Sequence, residues 1–183
     1  MKRVWMDTAA WAGTVIAALA FAVAAPKGLA VLGRLPPVAA SNLNREPVMV
    51  PEGLKADRTL LLLNFKGGQG KDIETWITGL HLRDDTSTAW LRMPVLDESG
   101  AARRSQVEGR LLSHHVAPTE RANVVPVFTD QAAFLQSAGL TRTDVVYVVV
   151  VNRQGEVLAR AEGPYDIAKA KVLHDTLVAD QRI

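Results

Sequence analysis

The sequence predicts a three-layer α/β sandwich whose mixed sheet ends in a C-terminal β-hairpin and a closing helix. Three observations predict it. First, Arg58 to Phe65 (RTLLLLNF) and Val145 to Val151 (VVYVVVV) are unbroken apolar runs, as expected of strands buried on both faces. Second, the segments between them carry apolar residues at helical spacing, so strands alternate with helices. Third, Asn152-Arg153-Gln154-Gly155 is a turn signal followed by Glu156 to Ala161, which reads as the returning strand of a hairpin.

Taken in order, the chain starts with Lys2 and Arg3, then runs without charge from Thr8 to Ala25 (TAAWAGTVIAALAFAVAA) to Pro26-Lys27. A basic start, an apolar stretch and small residues form the secretory pattern, and Ala22-Val23-Ala24 fits the small-x-small cleavage rule, with Val38-Ala39-Ala40 as a later alternative. The apolar run sits at the lower length limit for crossing a core of about 30 Å, so residues 1–25 read as a signal peptide or an N-terminal apolar anchor helix. Residues 26–57 hold Pro26, Pro36, Pro37, Pro47 and Pro51 with little helical period, and read as a tether with an edge strand at Pro47 to Val50. Residues 58–183 form the folded domain.

Within that domain, Ile73, Trp76, Ile77 and Leu80 recur at helical spacing, so a helix is predicted from Asp72 to Leu82 with Asp72 near its N-cap. Thr88 to Leu96 reads as a strand. Ala101 to His115 reads as a helix facing Val107, Leu111 and Leu112 inward, and Val124 to Phe128 as a short strand. Thr129 or Asp130 caps a helix that buries Phe134, Leu135 and Ala138 and stops at Gly139. Asp166 caps the last helix, with Ile167, Ala170, Leu173 and Leu177 on one stripe.

Composition narrows the function classes. The length of 183 residues allows one domain with a leader. A net charge of +2 without a dense Lys/Arg face disfavours a nucleic-acid partner, since phosphate contacts need clustered positive charge. The chain has no cysteine, which excludes disulfide scaffolds, thiol catalysis and thiolate metal sites.

The order of elements, together with Val125-Pro126-Val127-Phe128-Thr129-Asp130, Val145 to Val151 and the hairpin from Asn152 to Gly163 (NRQGEVLARAEG), resembles the thioredoxin-like superfamily, in particular its exported TlpA-type and peroxiredoxin-like branch. Redox members of that superfamily carry Cys-x-x-Cys at the start of the helix after the first central strand, and a cis-proline before the hairpin. Here Gly67 to Asp72 and Thr143-Asp144 stand in those places. The resemblance therefore implies a redox-inactive member, analogous to cysteine-less assembly factors such as the mitochondrial ATP-synthase assembly family. It also implies that the old active-site face serves as a binding surface: Lys66, Gly67, Gly68, Gln69 and Asp72 with Thr143 and Asp144. The expected partner is a protein of the envelope or membrane, with no cofactor.

A rival reading takes Lys66 to Asp72 (KGGQGKD) as a phosphate loop of a nucleotide-binding switch or ATPase, since it lies between a buried strand and a helix and is similar to the K-G-G-x-G-K-[ST] loop of the ParA/MinD ATPases. Against it, Asp72 replaces the Mg²⁺-binding hydroxyl, Phe65 stands where the ordinary loop needs glycine, and Val145 to Val151 runs into Asn152 rather than an acid. The remaining candidates are weaker. His114 and His115 are adjacent on a predicted helix and diverge by about 100°, so they read as solvated helix-end residues rather than a metal pair. His81 and His174 have no partner at ligand spacing. Asp84-Asp85 and Asp97-Glu98 read as solvated loop acids, and no serine has a G-x-S-x-G setting. Trp76, Trp90 and Tyr147 are assigned to the core, and Arg103-Arg104 to an exposed helix start.

Overall fold

A computed structural model describes residues 30–179; the N-terminal apolar segment at residues 1–25 lies outside them. The elements are β1 (Gly33–Arg34), β2 (Val38–Ser41), β3 (Pro47–Val50), β4 (Arg58–Asn64), α1 (Gly70–Gly79), β5 (Trp90–Asp97), α2 (Ala101–His114) and α3 (Pro118–Ala122). They continue with β6 (Val127–Thr129), α4 (Gln131–Ser137), β7 (Tyr147–Asn152), β8 (Glu156–Glu162) and α5 (Ile167–Val178). Among the described residues no helix is long and apolar enough to cross a membrane.

The main sheet has the order β1-β8-β7-β4-β5-β6, while β2 and β3 form a separate hairpin. Strands β4, β5 and β6 run parallel; β7 lies antiparallel to β4 and to β8. This is the mixed sheet with a terminal hairpin that the pattern of apolar runs predicts. Leu60, Leu61, Leu62 and Leu63 of β4 are all fully buried because helices cover both faces of the strand. Each such leucine contributes about 1.5–3 kcal/mol of burial, so β4 is the spine of two cores. Successive residues alternate faces. Leu60 and Leu62 join Val148 and Val150 beneath Ile73, Trp76 and Ile77 of α1 and Ala170 and Leu173 of α5. Leu61 and Leu63 join Met93, Val95, Val149 and Val151 beneath Phe134 and Ala138 of α4.

Caps and turns follow the predicted chemistry. The Asp130 carboxylate accepts from the Ala133 amide, and Asp166 accepts from Lys169, so both acids cap their helices. Gly155 takes φ +78° in the hairpin turn and Gly139 takes φ +69° just past α4, conformations that cost glycine no Cβ clash.

Several expectations are corrected. The segment predicted as a tether belongs, in its described part, to the folded unit: Leu35, Val50 and Leu54 are buried in the core under α4, and β1 pairs with β8. Its prolines stop helices but suit a strand start and turns, so Pro47 opens β3 and Val50–Pro51 (a cis peptide) follows it. The expected edge strand at Pro47 to Val50 is there as β3, with β2 as its partner. The later cleavage motif, Val38 to Ala40, lies within β2. Helix α1 begins at Gly70 with Gln69 as its N-cap, which puts Asp72 in the first turn. There its charge favours the helix dipole without capping. Val107, Leu111 and Leu112 are only half-buried, and no residue of α2 is fully buried. Ile167 is 77% exposed because it precedes the turn of α5 that meets the sheet. The short α3, begun by Pro118, has too few residues to show a period.

Candidate functional site

Strand β4 ends at Asn64, and the chain then turns through Phe65 to Gln69 into α1. Lys66, Gly67 and Gly68 are exposed, and a Cβ built on either glycine would meet nothing within 4 Å. Gly68 holds φ +91°, which favours glycine. Gln69 turns inward and is 9% exposed. Its Oε1 accepts from the amides of Phe65 at 2.8 Å and Lys66 at 3.0 Å, while Nε2 donates to the Thr143 carbonyl at 2.8 Å. One buried side chain thus folds its own loop and ties it to the segment before β7.

The structure therefore brings Lys66 to Asp72 and Thr143-Asp144 together, as the sequence reading grouped them. Their exposure differs. Asp144 is exposed and paired with Arg142 at 2.9 and 2.7 Å, which holds its carboxyl down at about 2. Thr143 and Asp72 are half-buried.

Beneath α1 lies a group the sequence reading did not collect. Arg92 rises from β5 on the face that carries Leu60 and Leu62, yet is only 8% exposed. Its Nη1 bonds Glu74 Oε1 at 3.2 Å and lies 3.5 Å from His115 Nε2. Glu74 also accepts from Arg83 at 2.7 Å, and Arg83 donates to Glu120 at 3.1 Å. His115 is buried, contrary to the solvated helix end expected of it, because the chain folds back after α2 and lays the ring against Arg92. Burial, and then the Arg92 charge, lower its pKa from the ordinary imidazole value. Burial also lowers Arg92, opposed by Glu74. The one sequence signal for this cluster was a charge inside an apolar run, Arg92 in WLRMPVL; its partners come from α1, α3 and the turn after α2, at unrelated spacings.

Trp76 and Tyr147 are core residues, as expected; Trp90 is half-buried, its Nε1 donating to the Leu82 carbonyl at 2.9 Å. Arg104 lies over the Phe128 ring at 5.2 Å rather than standing free. His114, His81 and His174 are exposed.

The phosphate-loop reading meets a specific obstacle. Three amides at the base of the loop are already engaged, since Phe65 and Lys66 donate to the Gln69 side chain and the Gln69 amide donates to the Gly67 carbonyl. Antiparallel β7 also sits beside β4, where a phosphate-loop fold has a parallel neighbour.

No family model matches the chain, and no curated protein matches it. Solved structures do. A protein of Aquifex aeolicus VF5 described as an electron-transfer protein has a TM-score of 0.58 at 10% identity, covering 84% of this chain and 100% of its own. BsSco, of the Sco family of cytochrome c oxidase assembly proteins, has 0.54 at 12%, covering 82% and 95%. The thioredoxin domain of a thiol-disulfide oxidoreductase from Bacteroides vulgatus has 0.52 at 13%, covering 82% and 99%. At such identities the likeness speaks for fold. The chain has a thioredoxin-like fold with no cysteine in it.

Proposed function

We propose that this protein is a redox-inactive, thioredoxin-like binding or assembly module of the cell envelope. Its contact face is Lys66, Gly67, Gly68 and Asp72 with Thr143 and Asp144, held in shape from beneath by Gln69. One observation carries the reading: Gln69 fixes this loop with three hydrogen bonds, so a face without thiols is still held in a defined shape. A loop with no task beyond connecting β4 to α1 needs no bond to a segment 74 residues away. The two exposed glycines leave backbone open to a partner without side chains in the way. BsSco, of similar fold, is named as a member of an assembly-protein family, which supports the assembly reading by analogy of fold. The envelope location rests on the secretory pattern of Thr8 to Ala25, which gives either a periplasmic protein or one tethered to the inner membrane.

The test is affinity capture of the full-length protein from the envelope fraction, comparing Gly67→Tyr with Lys171→Ala, an exposed change on α5. A partner captured by the parent and by Lys171→Ala but lost from Gly67→Tyr supports the assignment. Equal recovery by all three overturns it.

A further inference from the structure

Among the described residues from 101 to 123, which make up α2, α3 and the turns after them, His115 alone is buried. Every side chain of α2 is half-buried or exposed. The deepest anchor of this strap is therefore an imidazole, set between Arg92 of β5 and Glu120 of α3.

The seat suits a neutral ring. Arg92 Nη1 stands 3.5 Å from His115 Nε2. A guanidinium has only N–H to offer, so Nε2 presents its lone pair there, and the ring proton sits on Nδ1, 3.9 Å from Glu120 Oε2. The charges around the ring already balance. Glu74 of α1 accepts from Arg92 at 3.2 Å and from Arg83 at 2.7 Å, and Arg83 also donates to Glu120 at 3.1 Å. Arg121 of α3 donates to the His115 carbonyl at 2.8 Å, and His114 precedes the ring on α2. A second ring proton would set N–H against N–H at Arg92 and add a positive charge to a buried, balanced group. Glu120 attracts that charge, but Arg83 already shares its carboxylate.

We propose that His115 is an acid-released latch: once its ring carries a second proton it leaves Arg92, and the end of α2 with the turn into α3 lifts from β5. Further along, the chain stays tied, because Asn44 Nδ2 donates to the Pro118 carbonyl at 2.9 Å and the Leu43 amide to the Arg121 carbonyl at 3.2 Å. The opening is therefore local. It breaks the bond from Arg121 to the His115 carbonyl and brings water to the Arg92–Glu74 pair. In the open strap the ring has the ordinary imidazole pKa of about 6.5, while burial and Arg92 lower it in the closed strap. Each pH unit below the ordinary value then favours opening about tenfold, until the closed ring titrates too. The latch stands without the reading of the Gly67-Gly68 loop as a contact face.

The experiment measures amide protection factors, which divide out the chemical exchange rate, on the ¹⁵N-labelled full chain in detergent micelles from about pH 7.5 down to about pH 5. The His115 amide, bonded to the Leu111 carbonyl, and the Arg121 amide, bonded to the Ala117 carbonyl, report the strap. Leu61 and Val149 report the sheet. Strap protection should fall about tenfold per pH unit below the ordinary imidazole pKa and barely respond to low urea, because little surface is exposed. Sheet protection should be higher and fall with urea. His115→Gln, which keeps a neutral polar side chain, should abolish the pH-dependent fall in the strap. In the parent, the His115 ring should titrate below the exposed His81, His114 and His174. Strap amides with the urea dependence of Leu61, a fall that survives in His115→Gln, or a His115 ring that titrates with the exposed histidines would each overturn the latch. Ring titration and urea dependence need only the parent, so they decide the matter even if His115→Gln fails to fold.

Discussion

Gln69 Nε2 donates to the carbonyl of Thr143 at 2.8 Å, joining the loop that opens α1 to the segment that leads into β7. Here an amide side chain holds them, and the same residue serves as the N-cap position of α1.

Gln69→Leu keeps the volume and removes three hydrogen bonds, leaving the Phe65 and Lys66 amides without acceptors. A destabilisation of about 2–4 kcal/mol is expected in urea unfolding. Hydrogen exchange at the Phe65 and Lys66 amides should accelerate more than exchange in β7. Unchanged exchange there would mean the loop keeps its shape by other means.

The glycines separate into two kinds. A Cβ on Gly33 would lie 2.3 Å from the Ala138 carbonyl carbon, and one on Gly139 would lie 2.1 Å from the Leu32 oxygen. At both the obstacle is backbone, so β1 and the end of α4 must separate. Gly33→Ala and Gly139→Ala should each cost about 2 kcal/mol or more by thermal unfolding, Gly139 the more because of its φ of +69°. Gly67→Ala, in open space with no positive φ, should stay within about 0.5 kcal/mol of the parent.

His115 gives stability a pH dependence. Its folded-state pKa is lowered by burial and by Arg92, so the unfolded chain binds its proton first as pH falls. The contribution is complete above the unfolded imidazole value of about 6.5 and is lost progressively below it, down through the folded value. Unfolding free energies from pH 7.5 to pH 5 should decline, and His115→Asn should flatten that decline. Parallel curves for the two proteins would show that the ring titrates without consequence.

Trp76 ties α1 to the hairpin end, because its Nε1 donates to the Gly163 carbonyl at 2.8 Å and its ring meets Tyr165 edge-on at 5.3 Å. Trp76→Phe loses the bond and part of the packing. A loss of about 1–3 kcal/mol is expected, with the amides after Gly163 exchanging sooner than those of β4.

Much of the fold was legible because burial and backbone geometry leave local marks. The leucine run of β4, the valine run of β7, the acids at Asp130 and Asp166 and the turn glycine at Gly155 each report on a single element. The segment before β4 reads as a tether because prolines announce an end to helix and say nothing about packing; Leu35 and Val50 gain their burial from α4 and the sheet. The grouping of Lys66 to Asp72 with Thr143-Asp144 came from a resemblance, since residues so far apart share no spacing rule.

By itself, then, the sequence determined the α/β class, the secretory pattern of Thr8 to Ala25, and the absence of thiol chemistry, because hydrophobic period and residue type are properties of the chain. Only the tertiary structure decided how the turn from β4 into α1 is held. The inward turn of Gln69, the burial of His115, and the orphaned polar atoms of Asn64 and Arg92 under α1 depend on strands brought side by side by long-range pairing. No local pattern encodes which residues those pairings will oppose.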